Sequence, residues 1–119
     1  MNKINTKDLK VIFAGCAKNC EKFLLKNLEN LKLYSSLFKE SYKIIVENGS
    51  TDQTKKILQQ NKGKNDFFLY KEELNQLNFR GYRLEKARNC IIETIKKNNI
   101  LNQCDLLIIL DFDDSGTYT

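Results

Sequence analysis

The sequence contains no histidine, no proline and no tryptophan, and it has only four cysteines. Cys16 and Cys20 have the wrong spacing for a zinc knuckle, and there is no histidine to complete such a site, so a structural zinc ion is not expected. Cys90 and Cys104 fall within apolar patterns. We therefore predict that the cysteines are reduced structural thiols.

Long apolar runs are also missing. No stretch approaches the roughly 18 residues that a membrane span needs, and the N-terminal MNKINTKDLK lacks the apolar centre of a signal peptide. We expect no membrane span and a cytoplasmic location. The formal net charge is +5, but the lysines are interleaved with acidic residues and no basic block alternates with aromatics. Nucleic-acid binding is therefore not expected.

The composition is that of an ordinary globular protein. Hydrophobic residues make up 41% and charged residues 29% of the 119 positions, and no repeat, low-complexity tract or linker interrupts them. These features predict a single domain that spans residues 1–119.

Apolar segments alternate with helical patterns along the chain. We predict strands at 10–15, 42–47, 66–72 and 104–111, and helices from about Asn19 to Leu33, from the NGSTD turn to about Gln60, and from about Tyr82 to Asn98. Ser50 or Thr51 is the predicted N-cap of the second helix. This alternation predicts an α/β layered fold with a mostly parallel sheet, in which ligands collect at the carboxyl ends of the strands.

The stretch LLIILDFDD, residues 106–114, is an apolar run followed by aspartates. An unbroken apolar run is typical of a central parallel strand that is covered on both faces. Asp111 and Asp113, separated by one residue, suit a hard divalent cation such as Mg²⁺ or Mn²⁺ that also binds phosphate oxygens. The alternative is a solvated turn or a helix cap.

The second polar cluster is VENGSTDQT, residues 46–54. Glu47, at the end of a predicted strand, could accept hydrogen bonds from a nucleobase edge or from ribose hydroxyls, with Asn48 and Asp52 as further polar candidates. The alternative is a glycine-containing turn that caps a helix. The two interpretations are compatible, because capping explains Ser50 to Asp52 but does not require Glu47.

The arginines of the sequence, Arg80, Arg83 and Arg88, lie close together. On a helix, Arg88 projects about 40° from Leu84 and about 60° from Ile91, near the predicted buried stripe. A guanidinium in that position needs a carboxylate or a phosphate partner. A structural ion pair and a diphosphate or base contact both satisfy this need, whereas Arg80 and Arg83 are predicted to be surface residues.

Taken in order, these segments resemble the nucleotide-sugar-binding half of a GT-A glycosyltransferase of the broad family 2 type. KVIFAGCAKNCEKFLLKNLENL is similar to its opening strand, asparagine-containing loop and first helix, and IIVENGSTDQT to its second strand and acidic turn. KARN, residues 86–89, is similar to its Ala-Arg-Asn segment, and LLIILDFDD to the strand that bears its D-x-D motif. The resemblance covers about residues 10–114 and implies a Rossmann-like three-layer fold.

The resemblance also implies roles for individual residues. The implied nucleotide-sugar-binding residues are Gly15, Ala17, Glu47, Asn48, Arg88 and Asp111. Glu47 would recognise the base, Arg88 would support the nucleotide, and the loop from Gly15 to Ala17 would line the pocket. Asp111 would lie near the ribose or sugar, and Asp113, together with Asp111, would hold Mn²⁺ or Mg²⁺ on the diphosphate. Glu47 replaces the more usual aspartate, so both UDP- and GDP-sugars remain open as donors.

Members of this family carry their acceptor site, and in inverting members a general base, in a second half that this sequence does not show. By the resemblance the chain is a donor-binding half, truncated after the D-x-D motif, and no catalytic base is assigned in it. Three alternatives stay open: a truncated gene product, an excised fragment, or a piece that a second chain completes. The unfinished sheet edge also favours self-association into a homo-oligomer.

Two other classes of function stay open. One is a non-catalytic nucleotide-binding or interaction module. The other is a phosphatase fragment, because LLIILDFDDS also resembles the strand motif of the haloacid dehalogenase family. In that interpretation Asp111 would be the nucleophile and Asp113 the acid/base. Binding of different nucleotides distinguishes the two alternatives, because a nucleotide-binding module should prefer one base, whereas a phosphatase fragment should show little preference for the base.

Overall fold

The computed structural model describes residues 5–73, 80–100 and 104–112, and for residues 80–84 and 111 it describes the backbone only. These residues form four strands and three α-helices. The strands are β1 (Lys10–Ala17), β2 (Glu40–Glu47), β3 (Asp66–Tyr70) and β4 (Leu106–Asp111), and the helices are α1 (Glu21–Ser35), α2 (Thr54–Gln60) and α3 (Arg80–Lys97). The predicted alternation of strand and helix is confirmed, with shifts of a few residues at the boundaries.

The four strands form one sheet in the order β3-β2-β1-β4, and all the pairings are parallel. The chain moves outward from β1 through β2 to β3 and then returns by α3 to β4 on the other side of β1. The α/β class with a parallel, Rossmann-like three-layer arrangement is thereby confirmed. This change of direction creates a topological switch point between β1 and β4.

Side chains alternate between the two faces of the sheet, so two buried clusters form. One cluster joins Val11, Phe13 and Ile45 to residues of α1 and α2. The other joins Ile12 and Ile44 to Ala87, Ile91 and Ile95 of α3 and to other buried residues. Helices on both faces explain why β1 and β2 are apolar on both sides.

The interpretation of the last apolar run as a central strand was wrong. Among the described residues, β4 pairs only with β1. Ile108 and Leu110 pack against the α1 and α2 cluster, but Leu107 and Ile109 are 49% and 52% exposed. The helix on that face, α3, packs mainly on β1 and β2. It therefore leaves this face of β4 largely uncovered.

No helix in the described ranges is both long and apolar enough to cross a membrane.

Candidate functional site

The carboxyl edge of the sheet brings the predicted site residues of β1, β2 and β4 together. In the strand register Ala17 lies beside Glu47, and Cys16 lies beside Asp111. On the outer side of β2, Tyr70 of β3 lies opposite Glu47. Parallel strands end at the same edge, so residues far apart in sequence share one small region beside the switch point.

Glu47 is the most unusual group in this region, because its side chain has no exposed surface. The backbone N–H of Ser50 donates a hydrogen bond to Glu47 Oε2. The second oxygen, Oε1, is also buried and has no hydrogen-bond partner among the described residues. A buried acceptor without a partner costs stability, and native structures contain few of them. This orphan oxygen makes Glu47 a candidate for contact with a ligand.

Asn48 follows at the end of β2 and is 6% exposed. Its backbone N–H donates to the carbonyl oxygen of Ala17 at 3.1 Å, which extends the β1–β2 pairing by one residue. Its side-chain Oδ1 is a second buried acceptor without a partner in the described part of the chain. Two orphan acceptors on consecutive residues favour a ligand that presents hydrogen-bond donors.

Gly15 lies in the strand predicted for 10–15, but the strand continues to Ala17, so the loop implied for Gly15 to Ala17 was wrong. Pairing keeps β1 extended, with β4 as far as Cys16 and with β2 as far as Ala17. At Gly15 an added Cβ would lie 2.7 Å from Cε2 of Phe112 and would collide with the carbonyl oxygen of Leu110. Glycine at this position lets the Phe112 ring pack directly on β1. Ala17 has no exposed surface.

Arg88 is exposed, so the prediction that it lies near the buried stripe was wrong. The helix turns its apolar stripe, Ala87, Ile91 and Ile95, onto the sheet, and this leaves Arg88 on the solvent side. It makes no ion pair with a described residue. Its guanidinium is therefore available to a ligand, and a structural pair with Glu47 is not formed. The side chains of Arg80 and Arg83 lie outside the described residues.

The aspartates of the D-x-D motif are only partly described. Asp111 is the last residue of β4 and lies beside Cys16, but its side chain and the whole of Asp113 lie outside the described residues. In the described ranges no three cysteine, aspartate or glutamate side chains come together as a metal site. None of the four cysteines, all of which are described, forms a disulfide bond.

The predicted capping of α2 by Ser50 or Thr51 was wrong. The N-cap residue of α2 is Gln53, without a side-chain cap, and Thr54 N–H donates to Asp52 Oδ1 at 2.9 Å. Ser50 and Thr51 instead bind the β1–α1 loop, through hydrogen bonds to Asn19. Long-range partners outcompete the local cap because the two loops lie side by side at the same edge of the sheet.

Asp52 ties the starts of the first two helices together. Its Oδ2 accepts the N–H of Glu21 at 3.2 Å, and its Oδ1 accepts the N–H of Thr54. Burial raises the pKa of Asp52, but the hydrogen bonds from Thr54, Glu21 and its own backbone outweigh burial and bring the pKa below its usual value. Asp52 is thus a structural residue of the loop and not a ligand candidate.

We expect Asp52→Asn to lower the free energy of unfolding at pH 7 by about 1 kcal/mol, because the amide keeps only one of the two oxygens that accept the N–H groups of Glu21 and Thr54. A depressed folded-state pKa stabilises the fold above the unfolded-state pKa of about 3.9, and this contribution is lost as the pH falls through the folded-state pKa. The deficit of the variant should therefore shrink in urea denaturation at acidic pH. Asp8→Asn, at an exposed aspartate, is the control. An equal deficit at pH 7 and in acid would contradict the expectation.

Sequence reasoning missed Tyr70 and underestimated Asn19. Burial, and then the negative charge of Glu47, raise the pKa of the Tyr70 hydroxyl. The ammonium of Lys55 lies 5.3 Å from the centre of the Tyr70 ring. Asn19 has a positive φ of 49°, a conformation that asparagine adopts more readily than most residues. That preference, in a loop just before a helix, was the one signal in the sequence.

Comparison with protein-family models finds no match to this chain, and comparison with curated protein sequences finds none either.

Proposed function

We propose that this chain binds a nucleoside-diphosphate sugar, with a divalent metal ion, at the carboxyl edge of its sheet, as the donor-binding part of a glycosyltransferase-like domain. The observation that carries the proposal is the buried Glu47 carboxylate with its orphan Oε1. It lies at the end of β2, in the region where open α/β sheets bind nucleotides. The function follows from this site and from the resemblance of the motifs, since the fold alone is shared by many activities.

In this proposal Glu47 and Asn48 supply acceptors for the base. A carboxylate oxygen that receives an N–H of the base forms a charge-assisted hydrogen bond, which is stronger than a neutral one. Uracil and guanine both carry a ring N–H that suits Glu47 Oε1. Arg88, which is exposed and makes no ion pair with a described residue, is the proposed cation for the diphosphate.

The burial of Glu47 sets a condition on this mechanism. Because the side chain has no exposed surface, a base can reach Oε1 only when a neighbouring group moves. Tyr70 is such a neighbour, because it lies opposite Glu47 in the register of β2 and β3. We therefore expect binding to be accompanied by a change in the environment of the Tyr70 ring.

The proposed metal ligands are Asp111 and Asp113. Asp111 ends β4 on the far side of β1 from Glu47, so a nucleotide that spans the switch point would direct its diphosphate toward these aspartates. A divalent ion bound there would neutralise phosphate charge and assist a departing diphosphate.

The proposal is tested by calorimetric titration with UDP and with GDP, each with and without Mn²⁺. We expect Mn²⁺-dependent binding of one nucleotide, and this dependence should disappear in Asp113→Ala. Glu47→Gln should weaken binding about tenfold or more, because the amide replaces one acceptor with a donor. The matched controls are Asp8→Ala and Glu29→Gln, at exposed carboxylates. If the folded chain binds neither nucleotide under any of these conditions, the proposal fails.

A partner that completes the acceptor side, either a second chain or another copy, remains a prediction. The exposed Leu107 and Ile109 side chains of β4 support it, because large apolar side chains that lie together on a sheet face favour contact with another surface. The cytoplasmic location also remains a prediction.

A further inference from the structure

Asn19 joins the β1–α1 loop to the β2–α2 loop. Its backbone N–H donates to Ser50 Oγ at 2.9 Å. Its side-chain Oδ1 accepts the N–H of Thr51 at 2.7 Å and the hydroxyl of Thr51 at 3.2 Å. One residue of the first loop thus fixes two consecutive residues of the second loop by three hydrogen bonds.

The first of these two residues, Ser50, also contacts Glu47. The backbone N–H of Ser50 donates to Glu47 Oε2, and Gly49, at a positive φ of 73°, makes the turn between them. The Ser50 N–H holds one carboxylate oxygen, and this leaves Oε1 as the oxygen without a partner. The direction of Oε1 therefore depends on the backbone from 48 to 51. Asn19, in the neighbouring loop, fixes this backbone through its hydrogen bonds to Ser50 and Thr51.

We infer that Asn19 is a positioning residue of the proposed nucleotide site: it holds Ser50 and Thr51 so that the Glu47 carboxylate keeps Oε1 directed at the ligand. This inference rests on the proposed function. Asn19 is exposed and need not touch the nucleotide, so its effect passes through Glu47. A small displacement of a charge-assisted hydrogen bond is sufficient to lose much of its contribution, because such bonds weaken steeply with distance and angle.

The positive φ of Asn19 allows a clean pair of variants. Asn19→Gly removes the Oδ1 acceptor, but glycine adopts a positive φ without strain, so the turn is preserved. Asn19→Asp retains an oxygen acceptor at the same position and also tolerates this conformation. A defect in the glycine variant that is absent from the aspartate variant is therefore due to the acceptor and not to the backbone of the loop.

The first measurement uses the ligand-free protein. In NMR spectra of Asn19→Gly we expect faster hydrogen exchange of the Ser50 amide and a changed carboxyl ¹³C shift of Glu47, with both restored in Asn19→Asp. The exchange of core amides such as that of Ile45 should stay unchanged, which separates a local effect from global unfolding. If the Ser50 exchange and the Glu47 shift are unaltered in Asn19→Gly, the inference is wrong.

The second measurement is calorimetric titration with UDP and GDP in the presence of Mn²⁺. Asn19→Gly should raise the Kd of the bound nucleotide about tenfold, the loss expected for one misplaced charge-assisted hydrogen bond, and Asn19→Asp should stay within about twofold of the wild type. An unchanged Kd in the glycine variant overturns the inference. If the wild type binds neither nucleotide, the proposed function fails, while the NMR comparison still decides whether Asn19 positions Glu47.

Discussion

Gly15→Ala is expected to destabilise the protein by about 3 kcal/mol or more, near the upper end for overpacking in a core. The new Cβ would collide with the carbonyl oxygen of Leu110 and would lie 2.7 Å from the ring of Phe112. Gly15 and Leu110 are register partners in the β1–β4 pair, so the collision can be relieved only by spreading the two strands. A fall of roughly 10 °C in Tm follows from this free energy for a chain of this size.

Gly63→Ala is the matched control for this prediction. There the added Cβ would lie 3.2 Å from Asp66 Oδ2, at an exposed residue outside the strands, so we expect a change of at most about 1 kcal/mol. Thermal unfolding followed by circular dichroism measures both variants. If the two variants lose the same small amount of stability, the close approach of β1 and β4 is not rigid and the prediction fails.

Phe112→Ala is expected to cost about 3 to 5 kcal/mol, the usual range for removing a fully buried aromatic ring. The ring is 1% exposed and belongs to the same buried cluster as Leu31 of α1, against which Leu110 packs. Phe112 directly follows β4, so its ring, together with Ile108 and Leu110, joins this end of the strand to the buried cluster. Urea denaturation gives the free energy of unfolding directly.

The control for the phenylalanine variant is Phe23→Ala, which removes the same atoms from a half-buried ring on α1. Its expected cost is about 1 to 2 kcal/mol, because less apolar surface leaves contact with the core. Equal costs for the two variants would mean that Phe112 does not anchor β4.

The double variant Gly15→Ala/Phe112→Ala adds a test of the contact itself. Removing the ring relieves its collision with the new Cβ, but the collision with the Leu110 carbonyl remains. We therefore expect the double variant to lose less stability than the sum of the single variants, as residues in direct contact usually do. Strict additivity would show that the two residues act independently.

These two residues also matter for the proposed site, because they fix where β4 ends. Asp111 is the last residue of β4 and lies between Leu110 and Phe112 in the sequence. A spread between β1 and β4 would move Asp111 relative to Glu47 and would change the span across the switch point. In Gly15→Ala and in Phe112→Ala we therefore expect weaker nucleotide binding at temperatures at which each variant is still folded.

Local patterns were sufficient to locate the strands and helices. The apolar run before Glu47 and the leucine spacing of the first helix depend only on neighbouring residues, and the structure has β2 and α1 at those places. The prediction that Glu47 lies at the end of a strand is also confirmed. Its role in base recognition remains a proposal.

The errors concerned partners that are distant in sequence. Ser50 and Thr51 have the composition of an N-cap, but they bind Asn19, 31 and 32 positions away. Arg88 lies near the apolar stripe on a helical projection, but the orientation of α3 on the sheet leaves it exposed. Helical angles and capping preferences describe one element at a time, so they cannot give the orientation of that element on its neighbours.

The sequence by itself determined the α/β class, the order of the elements and the presence of polar groups at the ends of the strands, because alternation and periodicity are local consequences of the residue types. Only the tertiary structure decided the strand order, the exposure of Leu107 and Ile109 on β4, and the hydrogen bonds by which Asn19 reaches the loop that holds Glu47. An apolar strand has the same composition whether one neighbour or two pair with it. The number of its neighbours is decided only by the crossover connections, which determine the order of the strands in the sheet.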